Sequence, residues 1–294
     1  IHYILLAVFK STFKMASDVY DIKDGPKDGR KVFRKMGTCS RTFFYILNRE
    51  FGHLKELEER ASDSLAGGIL QQGHQCGMLW GASLAVGAEA YRKCENQNQA
   101  IAVAVNATQK IMQSFSAREH TINCRDITHC DFSSKWSMAK YFFSGNFLHC
   151  FKLADDWAPE AVKAAIEGLS NKENLSTKQC LSCASEVVKK MGGSKEEMIM
   201  VAGFAGGLGL SGAACGALGA AVWMKSLEFC REEVKKSSMK NSYAKKTLET
   251  FYQATNSKIL CSEITGKHFQ NLKDHTEFIN GRGCNKLIEI LAKT

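Results

Sequence analysis

The stretch "AGGLGLSGAACGALGAA", residues 205–221, lies inside a run with no charged residue between Glu197 and Lys225. Moved back by 139 residues it falls on "AGGILQQGHQCGMLWGA", residues 66–82, and eight of the seventeen positions are identical. The shared residues are Ala66/Ala205, Gly67/Gly206, Gly68/Gly207, Gly73/Gly212, Cys76/Cys215, Gly77/Gly216, Leu79/Leu218 and Ala82/Ala221. Self-similarity at a fixed offset is the signature of a repeated structural unit.

The match extends outward through three further cysteines. Cys39 in "CSRTFFYIL" and Cys183 in "CASEVVKKM" each open a helical pattern; "CRDIT" from Cys124 answers "CSEIT" from Cys261; "CFKL" from Cys150 answers "CNKL" from Cys284. Successive spacings are 37, 48 and 26 residues in the first half and 32, 46 and 23 in the second. The chain therefore reads as a tandem duplication. Expected boundaries are an N-terminal extension (1–35), a first cysteine module (36–166), a linker (167–179) and a second module (180–294). "MASDVYD" from Met15 makes a more ordinary start than "IHYILLAVFKSTFK", so residues 1–14 are expected not to belong to the native protein. Two related units in one chain commonly pack about a pseudo-twofold axis, as a homodimer would.

The fold class expected is all-α. Only two prolines interrupt 294 residues, and alternating strand patterns of useful length are hard to find. Thr38 and Ser182 stand as N-cap candidates before the first cysteines. "KKMGG" ends a helix, and Ser194 with Glu197 forms a capping-box pattern for the next. Long helical patterns run over 98–116 and 242–256. The glycine segment reads as helix, glycine turn, helix, with Cys215 near the start of the second helix. There the dipole end would lower its thiol pKa.

Composition narrows the function. The formal charge of +9 is spread along the chain, and its densest basic stretch, 231–246, contains two glutamates, so no nucleic-acid surface is expected. Residues 198–224 are long enough to span a bilayer, but the matching first-half segment carries Gln71, Gln72, His74 and Gln75, so no membrane insertion is expected. The N-terminal stretch makes a poor export signal, which places the protein in the cytoplasm, where clustered cysteines serve metal or redox chemistry.

This order of cysteines resembles the C_GCAxxG_C_C family of redox-active proteins, in two copies covering nearly all of residues 36–294. The family's motif has glycine directly before its cysteine; this chain has Gln75 and Ala214 there, and Gly77 and Gly216 follow instead. The resemblance implies redox-active or metal-binding chemistry with an unspecified redox partner.

Three chemistries suit four thiols from separate helices. An iron–sulfur cluster is the first expectation, with Cys39, Cys76, Cys124, Cys150, Cys183, Cys215, Cys261 and Cys284 as ligands. A thiol–disulfide site is the second, with Cys76 and Cys215 as low-pKa nucleophiles. A zinc or soft-metal storage module is third, because close C-x2-4-C pairs are absent from both shared sets. Cys180 makes a C-x-x-C with Cys183, but Met36 stands at its counterpart; Cys94, Cys130 and Cys230 read as ordinary packing or surface thiols. His74, His129 and His149 face Ala213, Gly266 and Gly283 in the other copy, so a shared mechanism cannot require them. Asp126/Glu263 and Thr128/Thr265 recur without a defined role.

Overall fold

A computed structural model describes residues 25–170, 179–233 and 237–294. Every regular element among them is helical; the β pairing present consists of two isolated bridges. After α1 (Gly29–Met36), the first module runs α2 (Cys39–Glu50), α3 (Glu56–Ala61), α4 (Gly77–Lys93), α5 (Gln97–Arg118), α6 (Cys124–Thr128), α7 (Lys135–Phe143) and α8 (Phe147–Ser170). The second runs α9 (Cys183–Lys190), α10 (Lys195–Met200), α11 (Gly216–Glu232), α12 (Ser242–Thr255), α13 (Cys261–Thr265), α14 (Leu272–Asn280) and α15 (Asn285–Ala292). From α2 onward each element has a counterpart in the second half.

The helix signals hold with one exception. Ser194 and Glu197 form the full capping box of α10, and Ser182 accepts from the Ser185 N–H. Thr38 instead turns its hydroxyl outward from the helix end and donates to Asp63 Oδ1 at 2.7 Å. The extension contributes α1, which packs on α2 and α8, and Phe33 meets Phe151 edge-on at 4.9 Å. Helix α8 continues through 167–170; the rest of the expected linker up to 178, and residues 1–14, lie outside the described residues.

In each module one central helix, α4 or α11, is apolar around nearly its whole circumference and buried accordingly. The cysteine-bearing helices α2 and α9 pack on it from one side, and α5 and α12 from another. The two modules then pack reciprocally. Helix α4 lies against α10 and the 3-10 turn Ala202–Phe204, while α11 lies against α3 and the 3-10 turn Ser62–Leu65. Such an exchange of equivalent surfaces is what a twofold axis produces. Trp80 meets Phe204 edge-on at 4.7 Å across the boundary. It also presses on Gly219, its own counterpart in the other copy, where an added Cβ would stand 2.5 Å from the ring. Two equivalent positions in contact mark the pseudo-axis: a tryptophan fills it from one side, and a glycine yields from the other.

The 198–224 run is divided between α10, a loop and α11, and among the described residues no helix is long and apolar enough to cross a membrane.

Candidate functional site with two sets of four thiols

The duplicated glycine segment forms a left-handed turn. Gly67, Gly68, Ile69, Leu70 and Gln71 have φ of +66°, +73°, +59°, +49° and +64°; Gly206 to Leu210 have +60°, +85°, +63°, +58° and +66°. Left-handed backbone costs a non-glycine residue roughly 1–2 kcal/mol, so these turns persist because the surrounding fold holds them. The bonds repeat in register: Leu70 N–H to Ser64 O matches Gly209 N–H to Gly203 O, and Gly73 N–H to Gly67 O matches Gly212 N–H to Gly206 O. Gly68 and Gly207 are required twice over. Besides the positive φ, an added Cβ would stand 2.3 Å from His74 N in the first copy and 2.6 Å from Ala213 O in the second.

From this turn the chain enters a short extended stretch that aims the motif cysteine. Cys76 N–H donates to Ile122 O and Cys124 N–H to His74 O, both at 2.7 Å; the second copy repeats this with Cys215 to Ile259 (2.9 Å) and Cys261 to Ala213 (2.7 Å). These are the isolated bridges Gln75–Asn123 and Ala214–Leu260. A backbone clasp thus joins the second and third cysteines of each module. Gln75, standing where the family motif has glycine, reaches across the module boundary with its Nε2 3.5 Å from Gly207 O.

Every one of the eight cysteines stands at the beginning of a helix. Cys76, Cys215 and Cys284 are N-cap residues; Cys39, Cys124, Cys183 and Cys261 are first helical residues; Cys150 lies in the first turn of α8. Helix starts bring free N–H groups towards sulfur.

The thiols gather module by module. Cys76 feels the charges of Cys39, Cys124 and Cys150, and Cys124 those of Cys39 and Cys150. Cys261 feels those of Cys183, Cys215 and Cys284. All twelve cysteines are free thiols. Among the described residues, no group of three or more His, Cys, Asp or Glu side chains stands together as it would to hold a metal ion. In the first set Cys39 lies close to Cys76, since a Cβ added at Gly77 would stand 2.4 Å from Cys39 Sγ, and the two thiols influence each other's acidity.

The thiols differ sharply in acidity. The hydrogen bond from Cys76, with the N–H groups of Gly67 and Ser40, lowers the Cys39 pKa to about 7 despite burial. Cys76, the donor in that bond and itself buried, is held well above the ordinary thiol value. Burial and the Cys183 charge push Cys215 up to about 12. The expected acidity of Cys76 and Cys215 is therefore corrected: the bond to Cys39 and burial raise Cys76, burial and the Cys183 charge raise Cys215, and the acidic thiol of the first set is Cys39. Burial also raises Cys183, although the N–H groups of Gly206 and Ala184 oppose it. Burial raises Cys124, Cys261 and Cys284 as well.

Residues that sequence reading passed over or left undecided complete the surroundings. The Tyr141 hydroxyl lies 3.5 Å from Cys150 Sγ and partly offsets the burial that lifts this thiol to about 11. Its counterpart on α14 is Phe278, which has no hydroxyl. Thr128 and Thr265 bond back to the carbonyls of Cys124 and Cys261 at 2.6 and 2.7 Å and lower those thiols slightly. Cys130 is fully buried beside the first set, and Cys124 feels its charge. Tyr141 carried no repeat signal, and Cys130 lacks a counterpart, so neither was visible by self-comparison. His74 bonds Tyr252 of the other module at 3.1 Å, His149 Nε2 lies 3.4 Å from Glu119, and His129 ends α6 at φ +50°. Cys180 donates its N–H to Asn98 Oδ1, and burial raises its thiol.

The family description "Putative redox-active protein (C_GCAxxG_C_C)" matches residues 38–193 and again residues 178–294. The chain belongs to this family. It carries the C_GCAxxG_C_C module twice, and the two matches overlap over the start of the second module, where α9 lies. No curated protein and no solved structure matches the chain.

Proposed function

We propose that the chain is a thiol–disulfide redox protein and that Cys39 and Cys76 are the exchanging pair of the first module. The observation that carries this reading is the closeness of the two thiols, a Cβ added at Gly77, the residue after Cys76, standing 2.4 Å from Cys39 Sγ, with Cys39 acidic enough to be about half thiolate near neutral pH. The Cys39 thiolate attacks one sulfur of a partner disulfide. The partner's S–S bond breaks, a mixed disulfide forms, and the released partner sulfur takes up a proton. Cys76 then gives up its proton and attacks the Cys39 sulfur, expelling the partner's second thiol. The protein pair is oxidised to a disulfide and the partner is reduced, with two electrons and two protons transferred. Cys76 thus serves as the resolving residue, and Cys39 takes the nucleophile's role expected of Cys76.

In the second module Cys183 occupies the place of Cys39 and Cys215 that of Cys76, with no thiol of comparable acidity. This reading takes the dithiol in preference to the cluster expected from sequence, because Cys39 and Cys76 lie close together and Cys39 is the more acidic. The test is anaerobic purification with iron, sulfide and zinc analysis, followed by equilibration in dithiothreitol redox buffers and mass mapping. A Cys39–Cys76 disulfide in colourless, metal-free protein is the expected result. Brown protein bleached by dithionite, or stoichiometric zinc, would overturn it in favour of a cluster or a storage module.

A further inference from the structure

The two copies differ beside the fourth cysteine. In the first module, Tyr141 lies over Cys150, and the preceding residue, His149, reaches Glu119 at the end of α5. In the second, these positions hold Phe278, Gly283 and Asn256. The Phe278 ring packs directly on Gly283, where an added Cβ would stand 2.3 Å from it. With no histidine–glutamate link, a cleft of about 340 Å³ opens, and Cys284 forms part of its wall.

The cleft is lined by three cations, Lys258, Arg282 and Lys286, drawn from the loop after α12, the loop after α14 and the first turn of α15, with Glu263 as the one carboxylate. Among the described residues none of the three cationic side chains has an ion pair. The first module has Thr121 and Leu148 in place of Lys258 and Arg282 and keeps only Lys152. Unpaired cations from separate segments around a concave space favour an anionic guest and concentrate it there.

We infer that this cleft is a port for a small anionic disulfide, a carboxylate-bearing molecule with one S–S bond, which exchanges with Cys284. The inference rests on the thiol-redox reading above and adds a substrate class to the second module. Cys284, which burial keeps protonated at rest, gives up its proton as it attacks one sulfur of the guest. The guest S–S bond breaks, a mixed disulfide forms at Cys284, and the released thiolate takes a proton while the cations hold its carboxylate. A second thiol of the set Cys183, Cys215 and Cys261 then displaces the remaining half. Two protein thiols are oxidised and two small thiols are produced.

The test compares two probes on the fully reduced chain: the dianion 5,5′-dithiobis(2-nitrobenzoate) and the neutral 4,4′-dithiodipyridine. Mixed-disulfide formation at Cys284 is followed by rapid quench and mass mapping. The ratio of anionic to neutral rates should fall about tenfold or more in Lys258→Gln/Arg282→Gln/Lys286→Gln. It should also fall with added salt in the unmodified chain, which needs no variant to fold. Neutralising Lys31, Lys140 and Lys163 in the first module should move the ratio less than twofold, separating the local cleft from net charge. A ratio that ignores both the cleft substitutions and salt overturns the port and leaves the thiol-redox reading intact. If neither probe forms a mixed disulfide at any of the four second-module cysteines while Cys39 reacts, the port also fails. If Cys39 is inert as well, the thiol-redox reading fails with it.

Discussion

Replacing Cys76 with alanine tests the thiol pair directly. Cys39 is lowered from the ordinary 9.0 to about 7, and the largest cause is the Cys76 hydrogen bond. Losing that donor should raise the Cys39 pKa; taking the ordinary 9.0 as the end point gives a change of about 3 kcal/mol in the balance between thiol and thiolate. At pH 7 the thiolate fraction then drops from about a half to about one in a hundred. A more basic thiolate is intrinsically more nucleophilic, by roughly eightfold for such a change, so the net slowing at pH 7 is about sixfold. At high pH, where both proteins are ionised, the variant should be faster. The two pH–rate curves for iodoacetamide at Cys39, followed by mass mapping, should therefore cross between about pH 8 and 9. Cys76→Ser, which keeps a donor at the same place, should fall between them. A Cys39 midpoint near 7 in Cys76→Ala, or near 9 in the unmodified chain, would refute the reasoning.

Three further outcomes follow from the packing and the buried groups. Gly219→Ala places a methyl against Trp80 and should lower stability by about 1–2 kcal/mol, overpacking outweighing the gain in helix propensity; in a Trp80→Ala background the same change should be neutral or stabilising, as urea midpoints would reveal. Burial lowers the His275 pKa from 6.5 to about 4, so the unfolded chain binds this proton first as pH falls, and stability is lost between about pH 6.5 and 4. His275→Asn should reduce the stability lost between pH 7 and 4.5 by about 2.5 kcal/mol, measured by urea unfolding at both values. Tyr141→Phe removes the hydroxyl from Cys150 and reproduces the Phe278 of the second module. Alkylation of Cys150 at pH 10 should slow to the rate of Cys284, and an unchanged rate would exclude the Tyr141 bond as a cause of the difference.

Much was legible in the sequence because the duplication serves as its own comparison. Repetition at a fixed offset named the eight cysteines and their two sets, and the scarcity of proline with repeated cap signals marked the helices. Glycine content showed that a turn lay before Cys76 and Cys215, though not its left-handed course. That course includes Ile69, Leu70 and Leu208, whose types argue against positive φ when read locally. Only contacts with the rest of the fold hold them there.

Acidity and access lay beyond reading along the chain. A helix start predicts a lowered thiol pKa at Cys76, but desolvation and a hydrogen bond given to Cys39 reverse the sign. Both effects depend on neighbours distant in sequence. Likewise, Gly283 and Asn256 look like minor divergences from His149 and Glu119 until the fold brings each pair together beside the fourth cysteine, bridged in one copy and lining a cleft in the other. The sequence by itself determined which residues are paired by descent and which segments coil into helices, because local periodicity and repetition encode both. The tertiary structure decided which thiol is the more acidic and where the second module forms a cleft, because burial, hydrogen bonding and shape are set by groups that only folding brings into contact.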